Sequence, residues 1–146
     1  MKKAIFAIAI LISFISCDET KKVIDVAGSV QLSGTYTITK LDETTVGAKA
    51  GITMTFAAID KSVRGNTGCN SFFGSYNNDL YALTFSEIAM TEKACPAGNI
   101  MQNEIKFANA LNNTGSYNLQ DNVLTLYSKT DRSVLLTAKK DTKEAQ

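Results

Sequence analysis

Ile52-Thr53-Met54-Thr55-Phe56, Asp60-Lys61 and Ser62-Val63-Arg64-Gly65-Asn66 together set the fold class of this chain. The first segment alternates apolar with polar residues, the period of a strand that buries one face. Asp60-Lys61 has the composition of a turn, so the stretch predicts an antiparallel hairpin. Towards the N-terminus, Thr35-Tyr36-Thr37-Ile38-Thr39 puts Tyr36 and Ile38 on one face and three threonines on the other. Towards the C-terminus, Asn77-Asn78-Asp79 reads as a break before a strand over 80–85. Strands are expected at 116–119 and 123–127 around an Asp121-Asn122 turn, and Thr130-Asp131-Arg132 precedes a last one at 134–138. Short turns between strands favour antiparallel pairing, and the sole proline, Pro96, leaves the ladders intact.

One segment has a different period. Ile100, Met101, Ile105, Phe107, Ala108 and Leu111 fall within an arc of about 160° on a helical wheel, which predicts one amphipathic helix. Asn99 is its expected N-cap with Gln102 at the reciprocal position, and Asn112-Asn113-Thr114-Gly115 is its stop. Glu104 falls inside the apolar arc and is expected to tilt to solvent or pair with a cation. A lone helix buries its stripe only against a sheet. The expected fold is therefore α+β: a strand-dominated antiparallel sheet or small β-barrel-like fold packed with one amphipathic helix.

Composition narrows the chemistry. The chain has 146 residues, 15 Lys and Arg against 14 Asp and Glu, and a net charge of +1, without the basic field that phosphate backbones demand. Nucleic acid is not an expected partner. With no His in the sequence, His-dependent triads and His-bound zinc are excluded, and no metal or cofactor is expected. Neither a Gly-x-Gly-x-x-Gly pattern nor a P-loop occurs.

The first residues form an address. Met1-Lys2-Lys3 is a positive start, residues 4–16 are uncharged and largely apolar, and Phe14-Ile15-Ser16-Cys17 resembles a bacterial lipobox with Phe14 at a position that is usually aliphatic. The resemblance implies cleavage before Cys17 and its diacylation, and two chains anchor stably where one does not. The expected organisation is a lipoprotein signal peptide over 1–16, a lipid-anchored tether over 17–32, the folded domain over 33–140 and a polar tail over 141–146. The mature protein is expected on a membrane of the bacterial cell envelope, the outer membrane first, with the leaflet open.

Of three cysteines, assigning Cys17 to lipid leaves Cys69 and Cys95. In an exported chain one disulfide is the simpler reading, with buried free thiols and redox or copper chemistry as alternatives.

Gly65-Asn66-Thr67-Gly68-Cys69-Asn70-Ser71-Phe72-Phe73-Gly74-Ser75-Tyr76 carries more than its periodicity. Gly68, Cys69, Asn70, Phe72, Gly74 and Tyr76 stand where the Gly-Cys-Asn-x-Phe-x-Gly-x-Tyr signature of the META domain has them, and the chain resembles that family, found in HslJ-like bacterial lipoproteins. Leu83-Thr84-Phe85, Thr91-Glu92-Lys93-Ala94-Cys95-Pro96 and Phe107-Ala108-Asn109-Ala110-Leu111 extend the resemblance, with Tyr36 where the family commonly has Trp. It implies a β-barrel-like sheet with one packed helix, an envelope location and an association with heat shock or antibiotic tolerance, but no reaction. The motif glycines supply positive φ or close backbone approach, the Asn70 amide bonds backbone groups of a turn, and the aromatics pack. A functional reading makes Asn70, Ser71, Ser75 and Tyr76 a shallow ligand surface.

The expected function is a non-enzymatic, stress-related binding module, monomeric, with an envelope protein or an unfolded client as partner and the membrane reached through Cys17. The alternative is an envelope hydrolase that uses a carboxylate such as Glu87, Glu92 or Glu104. A third reading is a domain that is principally a structural or surface-interaction module.

Overall fold

Tyr36 opposite Lys140, Ile38 opposite Ala138 and Leu41 opposite Leu136 join the first strand to the last, so the sheet closes on itself. The computed structural model describes residues 28–95 and 98–142. Its strands are β1 (Gly34–Leu41), β2 (Thr44–Thr45), β3 (Ile52–Ala57), β4 (Ser62–Thr67), β5 (Ser71–Asp79), β6 (Ala82–Met90), β7 (Thr114–Gln120), β8 (Val123–Ser128) and β9 (Val134–Lys140). A helix, α1 (Asn99–Asn113), lies between β6 and β7, and residues 48–50 form one 3-10 turn. All strand pairs are antiparallel. β1, β3, β4, β5, β6, β7, β8 and β9 form a closed eight-stranded barrel, and β2 is an extra strand on β1.

The predicted alternation is what fills the barrel. Tyr36, Ile38, Met54, Phe56, Val63, Phe72, Tyr76, Leu83, Leu124, Leu126, Leu136 and Ala138 are all buried, as inward positions of a small barrel must be. Phe56 sits edge-on to Tyr36 at 5.8 Å and to Tyr76 at 5.1 Å between centroids. Removal of these aromatic and branched side chains from water is the main driving force for closure.

Both barrel ends are closed. At one end α1 touches β1, β4, β6, β8 and β9, and the Phe107 ring lies 4.9 Å from that of Phe72. At the other, residues 28–32 are helical, Leu32 is fully buried, and its carbonyl accepts from the Tyr36 hydroxyl at 2.9 Å. Ser29 and Leu32, read from sequence as tether, therefore belong to the packed body.

Three further expectations are corrected. Asn77-Asn78-Asp79 is not a break: these residues finish β5, and the turn is Leu80-Tyr81. Within the strand Asn78 is buried, and its Oδ1 accepts from the Ser29 hydroxyl at 2.8 Å. The N-cap of α1 is Gly98 at φ 104°, which no side chain caps, and Asn99 is already helical. Finally, the buried face of α1 is Phe107, Ala110 and Leu111, whereas Ile100, Met101 and Ile105 are exposed. The helix meets the barrel mouth through the Phe107–Leu111 edge of the wide apolar arc, with Ala110 beyond that edge, so Met101 and Ile105 point away.

Candidate functional site

The signature segment makes a tight crossing from β4 to β5 at the helix-capped end. Gly68 takes φ +96°, and a Cβ there would lie 2.9 Å from the Ala50 carbonyl oxygen, so the turn demands glycine. Gly65, within β4, is needed for approach, since a Cβ there would lie 2.0 Å from the Thr53 carbonyl oxygen. Cys69 is bonded to Cys95 with Cα atoms 6.0 Å apart, tying this turn to the segment after β6.

Asn70, 2% exposed, is the hub. Its Oδ1 accepts from the Thr91 hydroxyl and from the Lys93 backbone N–H, each at 2.8 Å. Its Nδ2 donates to both Glu104 carboxylate oxygens, at 3.0 and 2.9 Å, and to Cys95 Sγ at 3.3 Å. The Asn70 backbone N–H donates to the Thr67 hydroxyl oxygen at 3.0 Å, and that hydroxyl donates to Glu104. Through its side chain and backbone together, this one residue just before β5 ties β4, the post-β6 segment and α1. Glu104 neither tilts free nor meets a cation: its hydrogen-bond partners among the described residues are the neutral Thr67 and Asn70.

Glu104 and Asn70 line a cleft of about 610 Å³ between β6 and α1, with Ile88, Met90, Ala108 and Asn112 as further walls and Thr91, Glu92, Lys93 and Ala94 along the segment after β6. The arrangement offers one half-buried carboxylate with acceptor capacity left over, beside an apolar wall. It can hold a donor or cationic group against an aliphatic body.

The other predicted positions are spread differently. Phe72 and Tyr76 point into the core, while Phe73 is exposed. The proposed surface of Asn70, Ser71, Ser75 and Tyr76 does not assemble, because Asn70 and Tyr76 are buried and the Tyr76 hydroxyl donates to the Ala57 carbonyl at 3.2 Å. Gly74 faces a bulge in β6, where its Cβ would meet the Ser86 carbonyl oxygen at 2.9 Å. Of the three carboxylates, Glu92 and Glu104 share the cleft; Glu87 is exposed and accepts from Ser75 Oγ at 3.3 Å. Cys17 and Pro96 lie outside the described residues. Among the described residues no group of three His, Cys, Asp or Glu could hold a metal ion.

Sequence reasoning missed Thr67 and Thr91 as members of the network, and Asn78, whose buried Nδ2 meets no acceptor among the described residues. The only local signal at Thr67 was its place in Asn66-Thr67-Gly68, a turn composition.

The META domain family model matches residues 29–141, nearly the whole described structure. The chain belongs to the META domain family. Three solved structures share the fold of this META domain. A protein from Burkholderia xenovorans solved by NMR is 24% identical, with 82% of this chain and 90% of that one covered and a TM-score of 0.63. A second NMR structure is 22% identical over 76% of this chain and 92% of that one, with a TM-score of 0.61. A crystal structure of a DUF4847 family protein from Bacteroides vulgatus is 16% identical over 81% of this chain and 99% of that one, with a TM-score of 0.55. No curated protein matches the META domain described here.

Proposed function

We propose that this META domain is a non-enzymatic binding module of the bacterial cell envelope, anchored through acylated Cys17 and engaged under heat or antibiotic stress. The carrying observation is Glu104: a half-buried carboxylate fixed by neutral donors on the wall of a cleft of about 610 Å³ that Ile88, Met90 and Ala108 also line. Such a group is suited to hold the ammonium or guanidinium of a partner whose aliphatic stem lies on Ile88, Met90 and Ala108. Segments of an unfolded client, or of an envelope protein, that pair Lys or Arg with apolar neighbours have that chemistry.

A hydrolase reading draws on Glu92, which shares the cleft with Glu104. One experiment separates the two. The full-length protein is titrated by fluorescence anisotropy with a labelled Lys- and Leu-containing hexapeptide, and is incubated in parallel with purified cell-wall polymer. The binding reading expects saturable peptide binding, at least about tenfold weaker in Glu104→Gln, with Glu87→Gln as the unaffected control and no polymer cleavage. Binding that ignores Glu104→Gln overturns this reading. Polymer cleavage lost in both Glu92→Gln and Glu104→Gln would establish the hydrolase instead.

A further inference from the structure

In an up-and-down barrel the hairpin tips alternate between the two ends. The β3–β4 and β5–β6 tips therefore lie at the end where β1 begins, opposite the disulfide and α1. That end carries unusual side chains. Ile59 on the first tip is wholly exposed, Leu80 and Tyr81 on the second are 57% and 76% exposed, and Val30 beside the chain's entrance is 62% exposed. Leu80 also takes φ +53°, a conformation that favours Gly or Asn over a branched apolar residue, and here it gains little burial in exchange. The β7–β8 turn shows what folding alone would select: Asp121-Asn122, both at positive φ. Gly28, Gln31, Leu80, Tyr81, Tyr117, Asn118 and Leu119 line a cleft of about 600 Å³ at this end, so the entering chain and the Leu80-Tyr81 tip adjoin.

We propose that this end of the barrel rests on the lipid bilayer that holds the anchor, with Ile59, Leu80 and Tyr81 entering the boundary between headgroups and acyl chains. This docking rests on the reading of Cys17 as acylated. The stretch from Cys17 to Gly28 reaches at most about 40 Å even when fully extended, and it joins the domain at the end that displays the apolar tips. A tyrosine with an apolar body and polar hydroxyl suits that depth. Asp60 and Asp79 flank the tips, and Ser62 holds the Asp60 carboxyl below the usual carboxylate range, so the contact stays shallow. The opposite end, with the Glu104 cleft, is thereby turned away from the membrane and towards partners.

The chain contains no Trp, so a single introduced one reports its own position. Full-length protein carrying Tyr81→Trp, Ile59→Trp or, as the far-end control, Met101→Trp is reconstituted into phosphatidylcholine and phosphatidylethanolamine vesicles with and without brominated acyl chains. Intact mass reads the state of Cys17 in each sample. Docking predicts about twofold or greater bromine quenching for Tyr81→Trp and Ile59→Trp, and little for Met101→Trp. An acylated chain whose three variants quench alike, or whose tip variants are not quenched, overturns the docking and leaves the anchor standing. A chain with unmodified Cys17 overturns the anchor and the docking with it.

Discussion

Asn70 Nδ2 lies 3.0 and 2.9 Å from the two carboxylate oxygens of Glu104, a side-chain bond between the barrel wall and the helix that plugs it. The polarity of this pair runs one way, since Nδ2 can only donate and the carboxylate can only accept. Asn70→Asp sets two carboxylates face to face and should destabilise the fold by about 2–4 kcal/mol, read from urea midpoints. Adding Glu104→Gln restores a donor–acceptor pair in the reverse sense and should recover at least about 1 kcal/mol. Strictly additive losses would show that the two residues do not act together.

The Cys69–Cys95 bond closes a separation of 26 residues. Constraint of a loop that size contributes about 3.5 kcal/mol in the chain-entropy model. Reduction, or Cys69→Ala with Cys95→Ala, should lower the urea midpoint accordingly, and it also frees the segment that presents Lys93 N–H to Asn70. Thermal melts with and without reductant check this; overlapping curves would contradict it.

The plug is carried by one edge of the apolar arc of α1. Phe107→Ala should cost about 3–5 kcal/mol because it empties space against Phe72 in the barrel mouth. Met101→Ala, on the exposed edge, should stay within about 0.5 kcal/mol of the native protein. Denaturant titrations of the two variants decide which helical face the barrel uses.

Tyr36 sets an alkaline limit. Its hydroxyl is pushed up from 10.0 to about 12, first by burial and then by Tyr117 and Tyr76. Because the folded state favours the protonated form, this contribution is complete below pH 10 and is lost as pH rises from there towards about 12. Burial, then Tyr81, shifts Tyr117 in the same direction. Circular dichroism against pH should show unfolding in that window, and Tyr36→Phe should move the alkaline edge upward while costing about 1 kcal/mol at neutral pH through the lost bond to Leu32.

What the sequence made legible follows the physics of each signal. Alternation at Tyr36, Ile38, Met54 and Phe56 reports a buried strand face directly, so β1, β3 and the β3–β4 hairpin could be read in advance. β5 was obscured because Gly74 and Asn77-Asn78 carry loop composition, while their strand conformation is set by neighbours distant in sequence: β6 for Gly74, Ser29 for Asn78. Glu104 was visible as an oddity in an apolar arc. Its partners were not, because hydrogen bonds spanning 34 and 37 residues leave no local periodicity. The helix face was misjudged at Met101 and Ile105 because they lie on the opposite edge of the wide arc from Phe107 and Leu111, and an arc alone does not say which edge meets the sheet.

The pairing of β1 with β9 also orders events in time. Until Val134–Lys140 is present, both β1 and β8 have a bare edge, and Tyr36, Ile38, Leu124 and Leu126 lack their lid. Ring closure therefore waits for β9, the strand that contacts both β1 and β8 and pairs across the largest sequence separation in the sheet. A ribosome that stalls before Val134 leaves two templates for intermolecular pairing, which makes β9 the checkpoint between a closed barrel and an aggregate.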